Sequence, residues 1–177
     1  GQVEPGRGVP IPTLPVSDVD DLFHGPGRDA LLDAAPDYLR RIGAIAAAEP
    51  IRAARLLDVI PLSSHGREFA VSLVELETGV GDLTAWLLPL TVLAGEGASG
   101  FVGADAPSIV AHLRRQSGEP RILVDAFGEP DFAAALVDIV AGQRAVEGRQ
   151  GSISGSLVQG NAPDAGGLTL ETADVRI

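Results

Sequence analysis

The clearest alternation of hydrophobic and polar positions lies in residues 51–94, where three apolar stretches follow one another. Turn signals at 63–66 (SSHG) and 79–82 (GVGD) separate these stretches. Within 68–77 hydrophobic residues recur at every second position or nearly so, which is typical of a strand with one buried face. The pattern predicts an antiparallel meander with strands over 51–62, 68–77 and 83–93. Pro61 and Pro89 predict bulges or strand ends, because proline cannot donate to a ladder.

Two other stretches have hydrophobic residues at helical spacing. Residues 28–42 form the first, but Pro36 predicts either two short helices or one helix broken near Ala35. Residues 130–142 form the second, with Pro130 at its first turn and Gly142 as its stop. The apolar stripe of this second helix consists of Phe132, Leu136, Ile139 and Val140.

The remaining patterned segments predict additional strands. Residues 108–114 and 121–127 form a pair across a polar turn, although a helix over 108–115 is the alternative. Two more strands are expected at 152–158 and 168–177. Together the elements predict an α+β fold, in which the helices near 28–42 and 130–142 pack on an antiparallel sheet of five to seven strands.

Residues 1–27 contain five prolines and five glycines. Proline fixes φ and removes a backbone donor, so this segment is expected to be a flexible Pro/Gly-rich arm, extended or disordered rather than helical. Its hydrophobic residues leave the alternative that part of the arm docks on the folded body. The folded domain is then expected over 28–177.

The amino-acid composition limits the kinds of catalytic and binding site that these residues can form. Hydrophobic residues make up 45% of the chain and charged ones 21%, so most of the chain should fold. All 13 cationic residues are arginines, which excludes a phosphate-loop lysine and a Schiff-base lysine within these residues. There is no cysteine, and hence no disulfide, thiol nucleophile or thiolate metal site.

The net charge of −11 makes nucleic acids and anionic membranes poor partners. Hydrophobic runs stay below the roughly 18 residues of a membrane span. The first residues lack the charged and then apolar order of a signal peptide. A cytoplasmic protein is therefore expected.

The candidate chemical residues do not form a recognisable motif. The three histidines, His24, His65 and His112, lie in different segments without the spacing of a ligand pair. Two other groups resemble site motifs only in part. The acidic run lacks the glycine and terminal glutamate of a calcium loop, and the glycine-rich loop lacks a following Lys-Ser/Thr. The acidic run consists of Asp18, Asp20 and Asp21. The glycine-rich loop contains Gly95, Gly97, Gly100 and Gly103. No Gly-x-Ser-x-Gly elbow is present. We therefore predict no catalytic, cofactor-binding or metal-binding residue.

Several stretches, in this order and spacing, resemble the N-terminal region of the maltokinase family of trehalose- and glycogen-linked bacterial sugar kinases. The resemblance covers roughly residues 36–158. The matching residues are Tyr38-Leu39-Arg40-Arg41, Pro50-Ile51, Arg55–Leu62, Val71–Glu77, Trp86–Leu90, Leu123–Phe127 and Glu129–Phe132.

The resemblance implies a non-catalytic cap with a cystatin-like sheet and helix, set on a kinase core that uses ATP and magnesium to phosphorylate a sugar such as maltose. Two features depart from the family. An aromatic-Gly-Gly-Lys motif often precedes the family's first strand, whereas residues 42–49 here read IGAIAAAE. The catalytic and metal-binding aspartates of that kinase type have no counterpart, and its nucleotide-binding loop would begin near Ile177. The chain is thus expected to be a cap without its enzyme, and to hold no cofactor itself.

Three functions follow as hypotheses. The first is a binding or regulatory module that docks on a kinase-type protein or on a second copy, with Phe23, Trp86 and Phe101 as contact candidates. The second is a fragment of a complete sugar kinase whose core lies beyond residue 177. The third is a small-molecule module with a pocket under a curved sheet. Trp86, in a predicted strand, is interpreted as a core or rim aromatic rather than a sugar platform.

Overall fold

The predicted meander forms the centre of the molecule. The computed structural model describes residues 9–101, 107–157 and 166–171. Strands β2 (Ile51–Ser64), β3 (Arg67–Thr78) and β4 (Leu83–Ala94) pair antiparallel in sequence, which confirms the three predicted strands.

The other elements complete an α+β fold, as predicted. They are β1 (Thr13–Leu14), α1 (Gly25–Arg41), α2 (Glu96–Ser99), β5 (Ile109–Gln116), β6 (Glu119–Asp125), α3 (Pro130–Ala141), β7 (Ala145–Glu147), β8 (Ser152–Leu157) and β9 (Gly166–Glu171). Short 3-10 turns lie at Asp20–Phe23 and Ala126–Gly128. The main sheet has six strands in the order β1-β5-β6-β4-β3-β2. All neighbours are antiparallel except β1 and β5, which are parallel, so the sheet is mixed rather than purely antiparallel.

The strand pair predicted at 108–114 and 121–127 is present as β5 and β6, and the helical alternative for 108–115 is wrong. The C-terminal strands β8 and β9 pair with β7 in a separate three-stranded sheet. Residues 172–177 of the last predicted strand lie outside the described residues.

Both faces of the main sheet are covered, so the expectation of one buried face is wrong for β3. Residues 69–74 of β3 are all buried, because their side chains alternate between two cores. Val74 and Leu76 pack with α1, whereas Val71 and Leu73 pack with α3.

The prolines disturb the elements less than expected. Helix α1 is continuous, and Pro36 is buried inside it. An internal proline costs a helix about 3 kcal/mol, and burial of Leu31, Tyr38 and Leu39 against the sheet offsets that loss.

Pro61 and Pro89 lie inside β2 and β4 with no register shift at either position, so the expected bulges or strand ends are wrong. The reason is that each lies where its strand has a neighbour on one side only. Strand β2 is at the edge of the sheet, and β4 begins to pair with β6 only at Leu90.

Residues 9–27, expected as a flexible arm, are docked on the body, which was the alternative interpretation. Thr13 and Leu14 pair with β5. Val16, Val19 and Leu22 are buried in the hydrophobic core between α1 and the main sheet, which we call the α1-side core. The folded unit therefore begins before residue 28. Residues 1–8 lie outside the described residues.

Candidate functional site

One concave surface lies beside the Asp20–Phe23 turn. A cleft of about 550 Å³ separates this turn from the β2–β3 hairpin and from residues 147–149. Apolar side chains such as Val59 and Leu62 contribute to its wall. Its polar lining consists of Asp20, His24, Ser63, Glu68, Glu147 and Arg149.

Asp58 holds one wall of this cleft in place. The ladder between β2 and β3 shifts register between Leu56 and Asp58, and the Asp58 side chain is 3% exposed. Its Oδ1 accepts hydrogen bonds from the backbone N–H groups of Arg149 (2.9 Å), Gln150 (3.1 Å) and Val59 (2.8 Å). The aspartate therefore fastens the turn between β7 and β8 to the edge strand.

Gly148 allows this close approach. A Cβ atom at this position would lie 2.5 Å from Cγ1 of Ile60 and 3.0 Å from Oδ1 of Asp58. Any larger residue would push the turn away from β2.

The turn between β7 and β8 brings Arg149 into the lining of the cleft. Its Nη1 donates to the carbonyl oxygen of Phe23 at 3.1 Å, and its Nη2 lies 2.9 Å from Nε2 of His24. A guanidinium can only donate, so Nε2 of His24 must be the acceptor in this contact.

A second cleft, of about 620 Å³, lies on the other side of the Asp20–Phe23 turn. Its arginines are already paired with acidic groups. Arg121 binds Asp18 at 2.6 Å, and Arg67 binds Glu129 at 2.7 Å.

The other carboxylates of the two clefts form no ion pair with any described residue; they are Asp20, Asp21, Glu68 and Glu147. Such a surface suits hydroxyl or ammonium groups of a ligand better than phosphate. In the described part of the chain, no three acidic or histidine side chains are placed to hold a metal ion.

Ser64, His65 and Asp131 come together without forming a catalytic triad. Nδ1 of His65 lies 3.3 Å from Oγ of Ser64 and 3.3 Å from Oδ1 of Asp131. A triad needs the serine and the carboxylate on opposite ring nitrogens. Here one nitrogen faces both groups, so the imidazole cannot pass a proton from the serine while the aspartate orients it.

A partly buried polar contact joins α1 to β6. The hydroxyl of Tyr38 donates to Oδ2 of Asp125 at 2.6 Å. Burial, and then the Asp125 carboxylate, raise the pKa of Tyr38. Arg41 donates to the carbonyl oxygens of Ile109 and Val110, and burial lowers the pKa of its guanidinium.

The three predicted contact residues lie in different elements: Phe23 in the first 3-10 turn, Trp86 in β4 and Phe101 just after α2. Phe23 is 4% exposed and belongs to the α1-side core, so its prediction as a surface contact is wrong. Trp86 is half-buried against the same core and donates to Oγ1 of Thr84 at 3.0 Å, as befits a rim aromatic. Phe101 packs partly on a small cluster that includes Ile109.

Sequence reasoning did not identify Asp58 or Arg149. It also missed the hydrophobic side chains that are exposed, which include Phe127 and Val137 near α3. For these exposed hydrophobic side chains, the one signal in the sequence was the nearly unbroken apolar sequence of α3.

Comparisons with protein-family models, curated proteins and solved structures found no match. Among the described residues, no helix has the length and apolar character needed to cross a bilayer.

Proposed function

We propose that the chain is a non-catalytic domain similar to the maltokinase N-terminal cap, and that it acts as a binding or regulatory module in maltose, trehalose or glycogen metabolism. Its partner would be a kinase-type protein core or a second copy of the chain, in the cytoplasm. ATP and magnesium would belong to the core.

One observation carries this proposal: the stretches that resemble the family are in contact in the folded chain. Tyr38, in the first stretch, binds Asp125, which belongs to one of the last, at 2.6 Å. The rings of Phe69, beside the β3 stretch, and Phe132 are 5.5 Å apart. These contacts support the interpretation of the stretches as parts of one folded domain.

The intact mass of the natural gene product tests this proposal against its enzymatic alternative. A mass close to the 18.2 kDa of the present chain supports a free-standing cap. A mass more than twice as large supports the N-terminal part of a complete ATP-dependent sugar kinase. In the second case, the purified protein should phosphorylate maltose with ATP. A large protein without this activity would contradict both versions.

A second candidate function is binding of a small polar molecule in the cleft beside Arg149. The volume of about 550 Å³ favours it, because ligand sites of small molecules commonly span about 300–1,000 Å³. The unpaired carboxylates favour an amino sugar over a polyanion.

Thermal-shift measurements with glucosamine, maltose, trehalose and ATP test the second function. We expect glucosamine to raise the melting temperature and Glu68→Gln to reduce that shift, with ATP as the negative control. No shift with any of the sugars would contradict it.

A further inference from the structure

Helix α3 is apolar on both sides. Its inward side buries Phe132, Ala135 and Ile139. Its outward stripe consists of Pro130, Ala133, Val137 and Ala141, and each of these residues is exposed. They recur at intervals of three or four residues, so they share one side of the helix.

This composition is unusual for a surface helix, which normally carries charged residues on the side away from the core. Val137 is 63% exposed, and Phe127, just before the helix, is 60% exposed. A helix with apolar stripes on two opposite sides normally has both of them covered. The outward stripe therefore has the character of an interface.

The charges beside the stripe indicate what kind of surface would cover it. Asp131 and Asp138, the two charged residues of α3, are seven positions apart and thus lie along one edge. Asp131 contacts Arg67, whereas Asp138 forms no ion pair with the described residues. A partner with arginine or lysine along this edge would complement Asp138.

A second copy fits the charges less well. If two α3 helices packed antiparallel around a twofold axis, both Asp138 side chains would lie on the same side of the contact. Each copy would also bring a net charge of −11. Both effects are repulsive.

We infer that the outward stripe of α3 docks an apolar surface of another protein whose edge carries arginine or lysine. This inference deepens the proposed function, on which it rests for the identity of the partner, by naming the face that would meet the kinase-type core. The affinity of the face itself can be measured without that core.

Two stapled helical peptides of about 18 residues, long enough to cover α3, serve as probes. Both carry a leucine and alanine stripe, and one has arginines along its edge where the other has glutamates. Binding to the full chain is measured by fluorescence anisotropy. We expect saturable binding of the arginine peptide, and at least about tenfold weaker binding of the glutamate peptide.

Val137→Asp should weaken binding of the arginine peptide by about tenfold or more, although it makes the chain more acidic. Leu83→Asp is the matched control, because Leu83 is also apolar and 61% exposed but lies in β4. It should change the affinity by less than about twofold. Asp138→Arg should shift the preference toward the glutamate peptide. If Val137→Asp does not fold, Ala133→Asp tests the same stripe.

Three outcomes would overturn the inference. The arginine peptide could fail to bind, or Val137→Asp could weaken its binding no more than Leu83→Asp does, which would indicate general attraction to an acidic chain. Sedimentation could instead reveal a dimer that Val137→Asp dissociates, which would make a second copy the occupant. A large gene product without sugar kinase activity would contradict the proposed function and its kinase-type partner but leave the peptide result unaffected.

Discussion

At the scale of single residues, Phe132 joins α3 to the main sheet. It is buried, and its ring centroid lies 5.5 Å from that of Phe69 and 6.0 Å from that of Phe127. Phe132→Ala should lower the free energy of unfolding by about 3–5 kcal/mol, because it removes buried apolar surface and leaves a cavity. Urea denaturation measures the loss. Phe127→Ala is the control and should cost less than about 1 kcal/mol, since Phe127 is largely exposed. Equal losses would contradict this placement.

Because of Tyr38, the stability of the fold should depend on pH in the alkaline range. Tyrosine is neutral when protonated, and the raised pKa of Tyr38 means that the folded chain holds this proton more tightly than the unfolded chain. The stabilisation is complete below the ordinary tyrosine pKa of 10.0 and is lost as the pH rises above it. We expect Tyr38→Phe to cost about 2 kcal/mol near neutral pH, because it removes a hydrogen bond to a carboxylate.

The measurement compares denaturation of the natural chain and of Tyr38→Phe across neutral and alkaline pH. Their difference should shrink above pH 10.0. Tyr38 is the single tyrosine, so phenolate absorbance reports its titration directly. An ordinary titration in the folded chain would show that the hydroxyl is not held by Asp125.

At the scale of elements, Asp58 fastens the β7–β8 turn to β2. Asp58→Ala should cost about 2 kcal/mol, because it removes the acceptor of several backbone N–H groups. Asp58→Asn keeps an oxygen acceptor and should cost less. Amide hydrogen exchange should quicken at Arg149 and Gln150 in the alanine variant. Exchange that stays unchanged there would mean that the turn is held by other contacts.

Elements with strong local signals could be predicted from the sequence. Helix α3 runs from Pro130 to Ala141 and stops at Gly142, as its proline, apolar stripe and glycine indicate. The strands of the meander have turn residues at both junctions. Strand β7 has three residues and no such signal, and it was not predicted.

Features that depend on distant contacts could not be predicted. The docking of Leu14 and Leu22 required a partner surface supplied by β5 and α1. The bond between Asp58 and Arg149 spans 91 positions of the chain, so no local pattern announces it. Phe23 was predicted as a contact within an arm expected to be flexible, but tertiary packing buries it. The site was therefore less predictable than the fold.

At the scale of the whole molecule, acidic groups outnumber arginines, which gives a net charge of −11. The excess acidic side chains repel one another in the compact state. Several ion pairs offset this repulsion only locally. Arg28–Asp29 and Arg55–Glu75 have exposed arginines, and pairs of this kind contribute at most about 1 kcal/mol each. General repulsion should therefore dominate the response to salt.

We expect the melting temperature to rise when sodium chloride increases from about 0.01 to 0.15 M, because the screening length falls from about 30 Å to about 8 Å. The same titration near the isoelectric point of about 4.5, where the net charge vanishes, is the control and should give a smaller rise. A melting temperature that falls with salt at neutral pH would mean that specific ion pairs outweigh the repulsion. Arg67 would then be the first residue to test, since it contacts both Glu129 and Asp131.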